Sequence, residues 1–217
     1  MGFWEGSSEN AEVCIRLLED IARRGLRMER RPILVVLDGS KGLRSAVDRF
    51  FGKWASVQRC QVHKRRNVLS HLPQKHQGHI DRKICAAYKM KTLDQAKEAL
   101  EGVIKELNFL NQSAAASLAE GLDETLTVHR LELPEALRTS FSSTNLIESA
   151  FSPSRTVTRN VKRWRNSSQV QRWMATALLE AEKKFRKVRG YRAMPALTNA
   201  LHRVALQRGV ATEQKIN

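Results

Sequence analysis

The sequence predicts an α/β fold, because helix and strand patterns alternate over its first 62 residues. Residues 9–26 and 41–51 repeat apolar side chains at helical spacing, whereas residues 32–37 are a nearly unbroken apolar run and residues 56–62 follow as a second strand pattern. Parallel strands need helical crossovers, so this order is typical of a parallel sheet. Two strands do not complete a sheet, and we expect both to have open edges.

The middle of the chain is predicted to be entirely helical. Residues 64–136 repeat apolar side chains at helical spacing, and Pro73 and Gly78 are the expected interruptions. Residues 92–95 (Thr-Leu-Asp-Gln) have the spacing of a capping box at the start of one of these helices. This stretch therefore has the pattern of a helical bundle following the strands.

Two further helices are predicted towards the C-terminus. The first carries Glu148 and is capped by Ser143 or Thr144. We expect it to be short, because Pro153 has no N–H with which to continue the hydrogen-bond ladder. The second helix is capped by Ser167 or Ser168 and collects basic residues at its C-terminal end, where they complement the helix dipole.

The chain of 217 residues is strongly basic, with 38 Lys and Arg against 22 Asp and Glu and a net charge of +16. Residues 155–192 hold twelve basic and two acidic residues, hence +10 of that total. Basic runs are often only solvated surfaces, but this density favours a polyanionic partner, and nucleic acid first. Six residues of this segment are expected to contact DNA phosphates: Arg155, Arg159, Lys162, Arg163, Arg165 and Arg172.

Other features of the sequence bound the class of protein. Trp164 and Trp173 lie within the basic segment, and we assign both indoles to the core. The three cysteines are odd in number and irregular in spacing, and no apolar leader precedes them, so a reducing cytoplasm is expected. No apolar run is long enough to cross a bilayer, and no membrane partner is expected.

Two carboxylates are the candidate catalytic and metal-binding residues. Asp38 follows the apolar strand pattern, and the carboxyl ends of strands are where open α/β sheets place their chemistry. Glu148 is distant in sequence and lies on a helix. Oxygen ligands suit Mg²⁺ or Mn²⁺, and a pair of such ions stabilises phosphoryl transfer. The alternatives are a plain turn at Asp38 and a solvated helix carboxylate at Glu148.

Cys60 and His63 have the spacing of half a zinc site. Four ligands are needed for a structural zinc, and the remaining candidates have no regular spacing: His71, His76, His79 and Cys85. We prefer a packed cysteine whose neighbouring histidine makes a hydrogen bond near the site.

The order of these motifs resembles the Mutator-type transposases of bacterial insertion sequences. Residues 36–43, 58–69 and 143–149 carry the central motifs, residues 155–189 resemble the closing part of that family, and residues 5–26 resemble the segment before the strands. The resemblance covers nearly the whole chain, and its blocks occur in the family's order.

The resemblance implies a partial RNase H-like core with an all-helical insertion and a helical C-terminal region. Asp38 matches the second catalytic acid and Glu148 the third, both as ligands of a two-metal site for Mg²⁺ or Mn²⁺. Cys60 and His63 match the family's Cys-x-x-His motif, whose role is open. The implied divisions are a partial core over residues 1–63, the insertion over 64–138, the Glu148 helix and basic region over 139–192, and a C-terminal tail over 193–217.

The departure from the family is at the N-terminus, where the terminal-repeat-binding region and the first catalytic Asp are not found. Asp20 and Asp48 lie on amphipathic helices and do not match that residue. We therefore predict the C-terminal portion of a transposase that cleaves and joins DNA strands, acts on transposon ends and target as a homo-oligomer in the bacterial, nucleoid-associated cytoplasm, and is inactive alone. The alternatives are a non-catalytic DNA-binding remnant and a helical interaction module unrelated to DNA.

Overall fold

A computed structural model of the chain describes residues 10–26, 31–159 and 161–211. Two parallel strands, β1 (Ile33–Leu37) and β2 (Ala55–Arg59), pair in a register that places Leu37 beside Arg59. Helix α1 (Ala11–Arg23) packs against α2 (Lys41–Phe51), and α2 packs against the sheet. This order confirms the predicted alternation, although helices predominate in the described ranges.

The second strand is shorter than the sequence predicted. We expected it to run to Val62, but helix α3 (Gln61–Ser70) already begins two residues after Arg59. The Cys60 amide donates to the Leu37 carbonyl at 2.6 Å and the Gln61 amide to the Ser142 carbonyl at 2.9 Å, so the chain leaves the strand direction here. As a result, Cys60 becomes the N-cap of α3.

The helical middle of the chain has its own apolar core. Helices α4 (Gln74–Tyr88), α5 (Leu93–Leu110) and α6 (Gln112–Ala119) pack with α3 around buried aliphatic side chains that include Ile80, Ile84, Leu100, Leu107 and Leu118. The predicted Thr92 cap is confirmed, since its hydroxyl accepts the Gln95 amide at 3.3 Å. The predicted break at Gly78 is wrong, because that glycine lies inside α4.

Buried polar side chains attach this helical bundle to the sheet. Short helices α7 (Leu122–Thr125), α8 (Thr127–Arg130) and α9 (Glu135–Phe141) follow α6. The fully buried Gln58 of β2 donates to the Thr125 carbonyl and accepts the Val128 amide, at 2.8 and 2.9 Å, and the Thr127 hydroxyl donates to the Val57 carbonyl at 2.6 Å. Strand β2 is therefore packed against helices as well as against β1, whereas open edges were expected on both strands.

The C-terminal elements differ from prediction in two places. Helix α10 (Asn145–Thr158) continues through Pro153 and is not short, because it packs extensively against α11 (Ser167–Glu182), which offsets the lost hydrogen bond. Helix α12 (Met194–Gln207) lies in the segment predicted as a tail. Its apolar face packs with α8 and α9 in a buried cluster of Val128, Leu131, Leu133, Leu137, Leu197, Ala200 and Leu201. No helix in the described ranges is long and apolar enough to cross a membrane.

Two glycines make room for the Arg59 side chain at the end of β2. A Cβ atom on Gly121 would lie 2.5 Å from a guanidinium nitrogen of Arg59, and one on Gly39 would lie 2.9 Å from another. Both glycines have positive φ, +63° and +108°. Arg59 thereby passes between the turn after β1 and the turn before α7, where it donates to the Glu120 carbonyl and carboxylate.

We expect Gly121→Ala to lower the free energy of unfolding by about 1–3 kcal/mol, because alanine is strained at this φ and displaces Arg59. Gly102→Ala is the matched control, since Gly102 is exposed inside α5 with no atom near an added Cβ. It should raise stability by about 0.5–1 kcal/mol. Equal shifts of the denaturant midpoint in the two variants would contradict this packing.

Candidate active site and nucleic-acid interface

The carboxyl ends of the two strands bring Asp38 next to the Cys-x-x-His motif. Leu37 pairs with Arg59, so the residues that follow them, Asp38 and Cys60, leave the sheet side by side. Asp38 is exposed, and its Oδ1 accepts the Ser40 amide at 3.0 Å, which fixes the turn between β1 and α2. The carboxylate therefore lies at the edge of the sheet where the sequence placed it.

Glu148 reaches the same region from the first turn of α10. The hydrogen bond from the Gln61 amide to the Ser142 carbonyl joins the start of α3 to the loop before α10. Thr144 follows in this loop, and its hydroxyl donates to Glu148 Oε1 at 2.6 Å. A carboxylate in the first turn of a helix is also favoured by the helix dipole. The Glu148 side chain remains 45% exposed, so one face stays open to a ligand.

Cys60 and His63 connect these two carboxylate-bearing segments. The Cys60 sulfur is fully buried, 3.4 Å from the Thr144 amide nitrogen and hydroxyl oxygen and 3.3 Å from His63 Nδ1. His63 Nδ1 lies 3.3 Å from the Thr144 hydroxyl and 3.9 Å from Glu148 Oε1. Because the Thr144 hydroxyl has one hydrogen, which Glu148 accepts, it can only accept from His63, so we assign the proton to Nδ1.

The side chains of this site can be compared with the ligands that Mg²⁺ and Zn²⁺ require. Within residues 10–26, 31–159 and 161–211, no three His, Cys, Asp or Glu side chains cluster to hold an ion. Mg²⁺, however, is commonly held by one or two carboxylates, with water and substrate phosphate completing its coordination. Asp38 and Glu148 fit this donor set. A structural zinc would need further ligands besides Cys60 and His63, and no third His, Cys, Asp or Glu joins them within the described ranges. The two side chains contact each other and Thr144, which is the packing we preferred from the sequence.

A buried lysine behind the site was missed by the sequence reasoning. Lys64 lies one residue after His63, and its Nζ donates to the Ser117 and Glu120 carbonyls, each at 2.6 Å. Burial, together with the charge of Arg59, lowers the pKa of Lys64 to about 8. Lys64 and Arg59 thus anchor the floor of the site to the end of α6. In the sequence, Lys64 was one of three basic residues in a row and gave no sign of being buried.

The six predicted DNA contacts lie on α10, α11 and the loop between them. All six side chains are exposed, and no ion pair joins any of them to a carboxylate within the described chain. Arg155 and Arg159 lie at the end of α10, while Lys162, Arg163 and Arg165 are in the loop. We call these six residues the basic face. Their charges are available to a polyanion.

The assignment of the two tryptophans to the core is wrong. Trp164 is 40% exposed and Trp173 is 38% exposed, and their rings meet edge to face with centroids 6.5 Å apart. Helix α11 instead buries three smaller residues, Ala177, Leu178 and Ala181. The indoles therefore lie at the surface beside the basic face.

Comparison with known proteins decides the family. The family model described as "Transposase, Mutator family" matches residues 1–188. The chain belongs to the Mutator family of transposases. This confirms the resemblance that the motifs around Asp38, Cys60 and Glu148 indicated.

Proteins similar to this chain include transposases for insertion sequence elements of bacteria. The IS6120 transposase of Mycolicibacterium smegmatis is 30% identical over 97% of this chain and 60% of its own length. The IST2 transposase of Acidithiobacillus ferrooxidans is 27% identical over 83% of this chain and 60% of its own. The IS256 transposase of Tn4001 from Staphylococcus aureus is 27% identical over 83% of this chain and 45% of its own length. The chain therefore spans about half the length of these relatives.

Proposed function

We propose that this Mutator family protein acts on DNA in the transposition of an insertion sequence, through metal-dependent strand cleavage and strand transfer. One observation carries the proposal: Glu148 is linked through Thr144 to the Cys60–His63 pair, and Cys60 follows β2 at the same end of the sheet where Asp38 follows β1. The neighbouring basic face supplies the charge that a DNA substrate requires. The parallel strands with their helical crossover support an RNase H-like core for this site.

Asp38 and Glu148 are proposed to hold Mg²⁺ or Mn²⁺. Such ions, when bound, stabilise the attacking and leaving oxygens of phosphoryl transfer. The protein's own contribution is to carry two carboxylates on separate elements and to leave both exposed. The basic face orients the DNA backbone by contacts to phosphates, which carry no sequence information.

Cys60, His63 and Thr144 are proposed to position Glu148. The buried Cys60 sulfur holds the backbone before α10 by accepting the Thr144 amide. The His63 ring then donates to the Thr144 hydroxyl, whose own proton orients the Glu148 carboxylate. Groups that orient a metal ligand commonly change metal affinity or activity by about 10–100-fold when removed. This gives the Cys-x-x-His motif a role without zinc.

The test of DNA binding is the affinity of the purified chain for a duplex as salt is raised. Each phosphate contact contributes about −0.9 to the slope of log affinity against log salt. Six contacts from the basic face predict a slope of about −5. Absence of measurable binding at low salt would contradict the proposal.

A second candidate is a non-catalytic DNA-binding protein of the same family. It is favoured by the absence of a three-residue acidic cluster in the described ranges. We expect the purified chain alone to bind supercoiled plasmid but not to nick it with Mg²⁺ or Mn²⁺. Metal-dependent nicking that Asp38→Ala abolishes would exclude this candidate and show that the chain is a complete nuclease. Action as a homo-oligomer on DNA remains part of the first proposal.

A further inference from the structure

The surface pair of tryptophans has no role in the function proposed so far. Trp173 lines a cavity of about 670 Å³ together with Arg165, Asn166 and Arg172, and Trp164 meets its ring from outside the cavity. We propose that this cavity is a binding site for an unpaired nucleobase of DNA, in which an indole stacks on the base. The inference rests on the DNA binding proposed above and adds the kind of DNA that is preferred.

The chemistry of the cavity wall suits a base attached to a phosphate backbone. An aromatic ring stacks on any nucleobase, because every base has a π face, and an arginine beside it attracts the adjoining phosphate. Arg165 and Arg172 are exposed on the cavity rim and pair with no carboxylate among the described residues. A small neutral ligand would not need these two charges.

The backbone around the cavity is held in place before any ligand arrives. The Asn166 side chain accepts the Gln169 amide at 2.9 Å and caps α11, so the prediction of Ser167 or Ser168 as the cap is wrong. The Gln169 side chain in turn accepts the Arg165 amide at 2.8 Å. These bonds fix the loop that carries Trp164 against the helix that carries Trp173. A preformed site loses less conformational entropy when it binds.

The surroundings favour DNA over a protein partner as the occupant. The basic face adjoins the cavity, and residues 155–192 carry a net charge of +10. A paired duplex offers phosphates to these charges but hides the faces of its bases, so the indoles would add little to duplex binding. An unpaired base at a strand end or a gap exposes the face that Trp173 can cover.

The proposal is tested with two fluorescent DNA ligands, a blunt duplex and the same duplex extended by a short single-stranded 3′ overhang. We expect the wild-type chain to prefer the overhang. Trp173→Ala should reduce this preference by about 5–100-fold, the range for loss of one base–aromatic stack, with little change in duplex affinity. Trp164→Ala removes the ring that packs against Trp173 and should reduce the preference by a smaller factor. Trp173→Phe should retain most of it. Phe109→Ala, which removes a 92% exposed aromatic ring from α5, should change neither affinity.

The outcomes separate this inference from the function on which it rests. No binding of either ligand by the wild-type chain would overturn both. Duplex binding without a preference for the overhang, or a preference that survives both alanine variants, would overturn the nucleobase site and leave DNA binding intact. If Trp173→Ala loses affinity for both ligands by misfolding, Trp164→Ala decides, because its residue lies in the loop before α11.

Discussion

Replacing Arg159, Lys162, Arg163 and Arg165 together by glutamine should lower the affinity of the chain for duplex DNA by about four-thousandfold at roughly 0.1 M salt. Each lost phosphate contact forfeits the release of about 0.9 of a counterion, which is worth close to one power of ten at this salt concentration. The same change should reduce the slope of log affinity against log salt by about 3.6. The effect should not depend on DNA sequence.

The matched control removes the same charge from another part of the surface. Arg66, Lys75, Arg82 and Lys105 are exposed on α3, α4 and α5, and their replacement by glutamine also changes the net charge by four. We expect this control to weaken DNA binding only slightly, because it lowers the positive electrostatic potential of the whole protein without removing a phosphate contact. Equal losses in the two variants would show that the basic face is not the binding surface. No loss in the first variant would favour a helical module unrelated to DNA.

Asp38→Asn and Glu148→Gln should each weaken Mn²⁺ binding at least about tenfold, as measured by electron paramagnetic resonance of free and bound ion. Each substitution keeps the shape of the side chain and removes the anionic oxygen that a hard cation prefers. Asp94→Asn is the control, because Asp94 is also an exposed carboxylate in the first turn of a helix, α5. Unchanged affinity in either site variant would remove that residue from the metal site.

Two substitutions of Thr144 test, by the same Mn²⁺ measurement, whether its hydroxyl positions Glu148. Thr144→Val keeps the shape of the side chain but removes the hydroxyl that links His63 to Glu148, and it should weaken Mn²⁺ binding by about 10–100-fold. Thr144→Ser keeps the hydroxyl and should restore most of the affinity. A purely structural role for Thr144 would produce similar Mn²⁺ affinity in both variants, so the difference between Val and Ser is the deciding quantity.

The parts of the site that the sequence predicted have strong local signals. Asp38 follows an apolar run and precedes a glycine, which together indicate the end of a buried strand. The position of Thr144 as the N-cap residue of α10 is also as predicted. Its hydroxyl makes no capping bond, however, because it accepts from His63 and donates to Glu148 instead. That exchange depends on His63, 81 residues away in sequence, and no local pattern contains it.

The features that the sequence missed depend on tertiary packing. Lys64 can be buried because the Ser117 and Glu120 carbonyls at the end of α6 accept hydrogen bonds from its ammonium group. Nothing near Lys64 in sequence reveals these partners. Trp173 is exposed because α11 buries Ala177, Leu178 and Ala181 instead, although large aromatic rings are usually well buried. The helical spacing of Leu197, Ala200 and Leu201 was present in the sequence, but the core that receives α12 is formed by residues about sixty positions earlier.

We expect the acidic site and the basic face to act on the same DNA molecule. The affinity of the chain for duplex DNA is measured with Mn²⁺ and with chelator at equal ionic strength, for the wild-type chain and for Glu148→Gln. A divalent ion that is not held at the acidic site competes with the protein for DNA phosphates and weakens DNA binding. An ion held by Asp38 and Glu148 whose coordination is completed by a DNA phosphate instead strengthens DNA binding. DNA should strengthen the binding of that ion by the same factor. We predict that Mn²⁺ raises wild-type affinity about fivefold or more and does not raise that of Glu148→Gln. Equal weakening of both proteins by Mn²⁺ would contradict this expectation.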